Sequence, residues 1–273
     1  MFVDNEMLRR VQMVELEILK YFDSFCKEHN LHYSLSGGTL IGAIRHKGFI
    51  PWDDDVDCMM SREEYDRLFE LWDKYADKER FFLQRKDNDS GFSQSFAKIR
   101  KNNTLYLQEN EPKGKYNQGL FIDIMPADRY PNGKLARKIF KFNFLFYQLY
   151  TREYPPVKNG GIVKFASDVI LFIVPKSIRP KLRKMHLKGL TKYNGDKSLN
   201  YISIETYDSL HRIYSPDILD SFIDVDFEDT TLSVTSKWEE ILVIGYGDYM
   251  QLPPEEDRVL KHHPREVDLG NAN

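Results

Sequence analysis

The chain has 273 residues, of which 41% are hydrophobic and 30% charged, with a formal net charge of −3 at pH 7. This composition is that of a folded globular protein and excludes an intrinsically disordered one. The near-neutral total does not indicate any class of partner. The two cysteines, Cys26 and Cys58, form neither a disulfide framework nor a zinc-binding spacing, and they suit a reducing compartment.

The sequence carries no pattern of a secretory or membrane-spanning segment. Residues 1–10 are polar and lack the apolar run of a signal peptide. The longest apolar stretch, residues 162–175, is interrupted by Lys164 and Asp168 and is shorter than the roughly 20 residues that span a bilayer. We therefore expect a cytoplasmic protein.

The first half of the chain predicts helices and strands in turn. Apolar residues at helical spacing predict a helix over residues 6–29, and an alternating pattern predicts a strand over 31–35. A short helix is expected over 39–45. Residues 55–60 read as a strand, and Ser61 with Glu64 forms a capping box that begins a helix ending near residue 77.

The second half combines short strands with a long helical region. Strands are expected over the ranges 82–84, 96–100, 119–124 (ended by Pro126) and 201–204. Residues 133–193 predict helices with breaks at Pro155-Pro156, Gly160-Gly161, Pro175 and Pro180. Residues 237–246 predict a further helix, followed by a polar tail over 247–263.

Four carboxylates lie close together in the sequence: Asp53, Asp54, Asp55 and Asp57. Like charges at this spacing repel one another, and a divalent cation would relieve the repulsion. If a strand begins at Asp55, alternation places the side chains of Asp55 and Asp57 on one face, where together they can bind Mg²⁺. One alternative is a solvated acidic turn.

A second alternative is a calcium-binding loop. Asp53, Asp55, Asp57 and Glu64 occupy positions one, three, five and twelve of an EF-hand. Cys58 stands where that loop requires glycine, and Pro51 precedes the aspartates where the entering helix should run. Both departures disfavour the calcium loop.

A Gly-Gly turn and a third aspartate complete the candidate site. Gly37 and Gly38 follow a predicted strand and precede a predicted helix, so their backbone amides can approach an anion closely. Asp123 lies between Ile122 and Ile124, where a charge is costly unless it is paired or bound to metal. We expect Asp123 to share a site with Asp55 and Asp57, and a water-facing edge strand is the alternative.

Several cations are candidates to neutralise phosphate oxygens, although each also fits a solvated surface charge. They are Arg45, His46 and Lys47, between the glycines and the aspartates, and Lys98 and Arg100, on one face of a predicted strand. Of these, Arg45, Lys47 and Lys98 are the expected donor-binding residues.

Three blocks of the sequence closely resemble the LicD family. They are residues 36–57 with the following 60–65, residues 119–128, and residues 246–258 with His262-His263 beyond. The resemblance implies an α+β fold with an α/β-type core, in which a small mixed nucleotidyltransferase-like sheet is flanked by helices. It also implies a basic helical insertion and a C-terminal helical segment.

The resemblance further implies an activity and the roles of individual residues. Family members transfer a phospho-alcohol, often phosphocholine, from a CDP-activated donor to a sugar hydroxyl of a cell-surface glycan, and fukutin-type ribitol-phosphate transferases are related to them. Candidate acceptors are lipopolysaccharide and precursors of teichoic acid or other cell-wall polysaccharides. By position, Asp55, Asp57 and Asp123 would bind Mg²⁺ (or Mn²⁺) and carry catalysis, while Gly37, Gly38 and Thr39 would contact the donor pyrophosphate.

The middle of the chain is strongly basic. Residues 131–192 contain fourteen Lys and Arg but only Glu153 and Asp168 as acids. The expected domains are a catalytic core over 1–130, a basic helical segment over 131–200 and a C-terminal part over 201–273 that packs on the core. The basic segment could bind a lipid-linked acceptor or an anionic membrane surface; a helical cap with solvated lysines and a protein interface are the alternatives.

Three other functions compete with the CDP-alcohol phosphotransferase. An Asp-x-Asp pair also occurs in glycosyltransferases that use nucleotide sugars, but the Gly-Gly turn and Asp123 disfavour that activity. A non-catalytic membrane-associated module is disfavoured by the intact carboxylates Asp55, Asp57 and Asp123. Nucleic-acid binding by the basic segment is not expected.

Overall fold

The computed structural model describes residues 4–109, 111–155 and 160–270. The described residues form two compact units. The first is built from residues up to 84, 96–127 and 217 onwards, and the second from residues 85–95 and 128–216. The three-part division expected from the sequence stays a prediction, since compactness alone does not assign a role to a segment.

The helices follow the predicted pattern closely. They are α1 (Asn5–Glu28), α2 (Gly37–Ile41), α3 (Arg62–Tyr75), α4 (Lys134–Arg152), α5 (Gly160–Ile173), α6 (Arg179–Thr191) and α7 (Trp238–Tyr246). A wider helical turn over Gly42–His46 continues α2. Ser61 caps α3 as predicted, accepting a hydrogen bond from the amide of Glu64 at 3.3 Å. Of the predicted break at Pro155-Pro156, Pro156 lies outside the described residues.

The strands are more numerous than the sequence predicts. They are β1 (Ser34–Leu35), β2 (Asp57–Ser61), β3 (Phe81–Gln84), β4 (Ala97–Lys101), β5 (Leu105–Gln108), β6 (Phe121–Arg129), β7 (Tyr201–Ser203), β8 (Ile213–Tyr214), β9 (Phe222–Phe227), β10 (Thr230–Thr235) and β11 (Pro264–Asp268). The fold class is α+β, as expected. The C-terminal part contains the predicted helix α7 and also the β9–β10 hairpin and β11, which were not predicted.

The first unit is organised around a mixed sheet with strand order β1-β2-β6-β4-β3. Along this order β2 and β6 run parallel, whereas the pairs β1–β2, β6–β4 and β4–β3 are antiparallel. Strand β6 is almost wholly buried, which is typical of a central strand covered on both faces. Helix α1 buries a stripe of apolar side chains that includes Leu19 and Phe22. Strand β5 pairs with β11 in a separate two-stranded sheet.

Two predicted strand limits are wrong. Strand β2 begins at Asp57, so Asp55 precedes it, and alternation along a strand does not relate the two side chains. Strand β6 continues through Pro126. Proline is tolerated there because the antiparallel ladder with β4 ends at Ile124, before the missing N–H of Pro126 would be needed.

The second unit is mainly helical. Aromatic and aliphatic side chains of α4 and α6 form its core with residues of the β7 region: Tyr130, Phe140, Phe144, Tyr147, Leu190, Ile202, Ile204 and Leu210. None of the helices in the described ranges is both long and apolar enough to cross a membrane.

Candidate active site

The site is formed where the two central strands of the first unit run side by side. Asp57 of β2 and Asp123 of β6 are direct partners in the parallel register, and Lys98 of β4 is the partner of Asp123 on its other side. The sheet therefore brings together Asp57, Asp123 and Lys98, which come from separate segments of the chain and which the sequence analysis singled out. Asp55 lies two residues before Asp57, just outside the sheet.

Lys98 and Asp123 form a buried ion pair. The Nζ atom of Lys98 lies 2.5 Å from Oδ1 of Asp123, and each residue is only 7% exposed. Burial raises the pKa of Asp123 and lowers that of Lys98, because desolvation disfavours the charged form of each group. The ammonium group also lies over the ring of Phe121, 3.4 Å from its centroid. Lys98 thus supplies positive charge inside the carboxylate cluster.

The Gly-Gly turn packs directly against two aspartate side chains. A Cβ atom at Gly37 would lie 2.3 Å from Oδ2 of Asp57, and one at Gly38 would lie 2.3 Å from Oδ2 of Asp53. Gly37 also has a φ of +58°, which side-chain-bearing residues rarely adopt. The Oγ1 atom of Thr39 accepts a hydrogen bond of 2.9 Å from the amide of Asp57. The turn and the aspartates are therefore one structural feature.

The other two aspartates of the cluster are buried. Asp54, 2% exposed, accepts hydrogen bonds from the hydroxyl of Tyr106 at 2.8 Å and from the backbone amide of His262 at 3.2 Å. Asp53, 3% exposed, has its Oδ1 atom 3.7 Å from the ammonium of Lys261. The C-terminal residues Lys261 and His262 thus belong to the site.

Helix α1 contributes a sixth acid that was not predicted from the sequence. Glu15 is 1% exposed, and its Oε2 atom is buried without a hydrogen-bond partner. Burial raises its pKa well above the ordinary value, and the charges of Asp55 and Asp54 raise it further. The sequence did contain a signal for Glu15. It occupies a position within the apolar stripe of α1, where burying an unpaired carboxylate is energetically costly.

Crowding of these acids shifts several pKa values. Burial, followed by the charge of Asp55, raises the pKa of Asp53 to about 7. Burial lowers the pKa of His262, but its hydrogen bond to Asp54 and the charges of Asp55 and Asp54 outweigh burial and leave it raised. The site therefore holds more negative charge than its own cations neutralise.

Two expected donor-binding cations make other contacts. Arg45 donates from Nη1 to the backbone carbonyl of Tyr249 at 2.7 Å and from Nε to His46 at 2.9 Å. Lys47 is exposed and ends the helical turn in a left-handed conformation. Their roles towards a donor stay predictions.

The calcium-loop alternative does not agree with the fold. Glu64 lies in the first turn of α3, where it contacts His32 at 3.1 Å and Arg67 at 3.0 Å. The residues between Asp57 and Ser61 form strand β2 and not a loop.

The donor set suits a hard divalent cation, which prefers carboxylate oxygens. Within the site, the buried carboxylate oxygens Oδ1 of Asp55 and Oε2 of Glu15 have no hydrogen-bond partner among the described residues. As the side chains stand, no three Asp, Glu, His or Cys groups in the described ranges converge as ligands of a single ion. One reason is visible at Asp123, whose Oδ1 atom is bonded to Lys98.

Comparison with known proteins gives results that agree with this geometry. A family model described as the LicD/FKTN/FKRP nucleotidyltransferase domain matches residues 30–152, a range that includes the glycines and all the carboxylates of the sheet. The chain is 33% identical over 268 residues to the lipopolysaccharide cholinephosphotransferase LicD of Haemophilus influenzae, covering 95% of this chain and 97% of that protein. An uncharacterized protein of Rickettsia prowazekii is 24% identical over 115 residues, covering 42% of this chain and 39% of that protein. The near full-length similarity, together with the matching domain, shows that the chain belongs to the LicD family.

Proposed function

We propose that this protein transfers phosphocholine from a CDP-activated donor to a sugar hydroxyl of lipopolysaccharide, releasing CMP. The proposal is supported above all by the register that sets Asp57 beside Asp123, next to the Gly37-Gly38 turn. The similarity to a lipopolysaccharide cholinephosphotransferase over 95% of the chain supports the transferred group and the acceptor. Teichoic acid precursors remain the second acceptor class that the family resemblance implies.

Asp55, Asp57 and Asp123 would hold Mg²⁺ or Mn²⁺ in this proposal. When bound there, the ion would stabilise the negative charge that develops on the departing nucleotide. The unpartnered Oδ1 atom of Asp55 supports this assignment, because a buried carboxylate oxygen requires a cation or a donor. The Asp123–Lys98 ion pair would have to rearrange for Asp123 to take part.

The chain's own groups would bind and orient the reactants. The amides of Gly37 and Gly38 begin a helix and carry no side chain, so the donor pyrophosphate can approach them. The acceptor hydroxyl attacks the phosphorus atom that bears choline, the bond from that phosphorus to the CMP oxygen breaks, and the hydroxyl proton passes to a carboxylate of the cluster. Phosphoryl transfers of this kind depend mainly on positioning and electrostatics, which a rigid sheet can supply.

The experiment offers purified protein a panel of CDP-choline, CDP-ribitol and CDP-glycerol with Mg²⁺ and a lipopolysaccharide acceptor. We expect CMP to be released from CDP-choline, together with a gain of one phosphocholine mass on the glycan. Release of a nucleoside diphosphate from a sugar nucleotide would favour the glycosyltransferase alternative. Absence of any turnover with all donors and acceptors would favour the non-catalytic module.

A further inference from the structure

Helix α5 of the second unit exposes a continuous apolar stripe. Six of its large apolar residues are more than a third exposed. Val163 stands apart, and the other five recur at intervals of three, four, three and one residue, which places them on one side of the helix. They are Ile162 (87% exposed), Phe165 (70%), Val169 (37%), Phe172 (90%) and Ile173 (68%). Single exposed apolar residues are ordinary on a protein surface, but a contiguous stripe of this kind marks a contact site.

The length of α5 determines whether the helix could span a bilayer or only lie at its surface. Its 14 residues give a helix of about 21 Å, too short for the roughly 30 Å hydrocarbon core of a bilayer. Its C-terminus is fixed by Arg179, a buried residue whose guanidinium donates to the carbonyls of Leu171 and Val174. A short, firmly ended helix with an exposed apolar stripe has the form of a helix that lies in the plane of a membrane interface.

An adjacent side of α5 is also apolar. A cavity of about 290 Å³ is lined mainly by apolar side chains of α4 and α5, including Phe144, Leu149, Val163 and Ile170, and Ile162 of the stripe borders it. The exposed residues Lys164 and Asp168, four positions apart, share the remaining side and give the helix a polar edge. Lys164 and Asp168 are its only charged residues.

The charge of the second unit decides between the possible occupants of the stripe. Residues 85–95 and 128–216 contain nineteen Lys and Arg against eight Asp and Glu, a net charge of +11. Lys176, Lys181 and Lys184, which follow α5, are exposed. An anionic surface complements this charge, whereas a second copy of the chain that docked through the same stripe would bring like charges together.

We propose that the α5 stripe inserts into the interfacial region of an anionic lipid bilayer and anchors the protein peripherally. Apolar insertion supplies part of the affinity, and the exposed lysines that follow α5 supply an electrostatic part. This anchoring is independent of the proposed reaction, and it would hold for any enzyme or binding module with this surface.

Flotation of the full-length chain with lipid vesicles tests the anchor. Vesicles of phosphatidylcholine alone are compared with vesicles that also contain phosphatidylglycerol. We expect the protein to float with the anionic vesicles, and the double variant F165S/F172S to lose at least tenfold in partition coefficient. A charge variant, K176E/K181E, is expected to lose binding to the anionic vesicles selectively, and added salt is expected to weaken wild-type binding.

The matched control is M13S/Y75S, which removes two exposed apolar side chains from the first unit (43% and 62% exposed) and should float like wild type. Circular dichroism and thermal melts confirm that every variant is folded.

Equal flotation of wild type and F165S/F172S would overturn the proposal, as would failure of the wild type to bind either vesicle. A wild-type dimer in light scattering that F165S/F172S converts to monomer would assign the stripe to self-association instead. Vesicle binding needs no turnover, so its failure and the failure of the proposed activity are distinguishable.

Discussion

At the scale of single residues, the site is defined by carboxylates that the fold holds against their mutual repulsion. Asp53, Asp54 and Glu15 are almost fully buried, and Asp55 retains a buried oxygen without a hydrogen-bond partner. Such an arrangement costs stability in the absence of a cation, because desolvation and like charges both oppose ionisation. The cost of keeping these acids together points to a function in binding.

Replacing Asp55 by asparagine removes one charge of the cluster at nearly constant volume. Without divalent ions we expect Asp55→Asn to stabilise the protein by about 1 kcal/mol, a rise of a few degrees in the melting temperature. The stabilisation that Mg²⁺ or Mn²⁺ confers on the wild type should be lost in the variant. Melting curves in EDTA and in Mg²⁺ measure both effects.

The control for this prediction is Asp224→Asn, which changes an exposed aspartate on β9 of the same unit. It should melt like the wild type in both buffers. An unchanged Mg²⁺-induced shift in Asp55→Asn would remove Asp55 from the ligand set.

Gly37 provides a second prediction at this scale. Alanine at this position meets a φ of +58° and a contact of 2.3 Å with Oδ2 of Asp57, so we expect Gly37→Ala to lose at least about 2 kcal/mol of stability and the activity with it. Gly114, with a φ of +79° and open space around its Cβ position, is the matched control for backbone strain alone. Chemical denaturation compares the two. Equal losses in both variants would mean that the contact with Asp57 is unimportant.

The residues of the site were predictable to different degrees. Asp57, Asp123 and Lys98 could be found from sequence because each stands out locally, as a clustered acid or as a charge in an apolar strand. Glu15, Tyr106 and Lys261 could not be assigned to the site, because their proximity arises from long-range packing of α1, β5 and the C-terminal residues. Polar residues within an apolar helical stripe, such as Gln12 and Glu15, are the signal to look for.

At the scale of secondary structure, the helices were predictable because each carries its own periodicity and caps. The β9–β10 hairpin and β11 were missed, since β11 depends on β5, more than 150 residues earlier in the chain. The start of β2 at Asp57 was also missed, although Pro51 and the aspartates after it are turn-forming residues. Pairing partners, more than local propensity, decide where these strands begin and end.

The loop between β9 and β10 is tied to the rest of the first unit by one carboxylate. Glu228 contacts the guanidinium of Arg9 through both oxygens, at 2.5 and 2.9 Å, and accepts a hydrogen bond from the amide of Phe49 at 3.1 Å. The hydrogen bond to Arg9 is the main cause that lowers the pKa of Glu228 below its ordinary value of 4.5. Glu228 therefore links α1, the hairpin and the segment before the aspartates.

This link makes stability depend on pH in a defined direction. The carboxyl is ionised more readily in the folded state, so its contribution is complete well above pH 4.5 and is lost as pH falls through 4.5 towards the lower folded-state value. We expect Glu228→Gln to cost about 1 kcal/mol at pH 7 and progressively less as pH falls below 4.5. Urea denaturation across this range measures the difference, and a cost independent of pH would contradict the role of the ion pair.

At the scale of the whole molecule, charge is divided between the two units. The basic unit carries a net +11 and the unit with the carboxylate cluster a net −14, although the chain totals only −3. The near-neutral total therefore conceals two surfaces of different chemistry. Under the two proposals made above, the acidic unit would bind a cation and a phosphate donor, and the basic unit would bind an anionic lipid surface.

Release of CMP from CDP-choline in the presence of Mg²⁺, compared between wild type, Asp57→Asn and the control Asp224→Asn, tests the central claim most directly. The carboxylate pair formed by Asp57 and Asp123 predicts that Asp57→Asn folds normally but loses at least about 10³-fold in turnover, while the control keeps wild-type activity. Near-normal CMP release by a folded Asp57→Asn protein would contradict the assigned site.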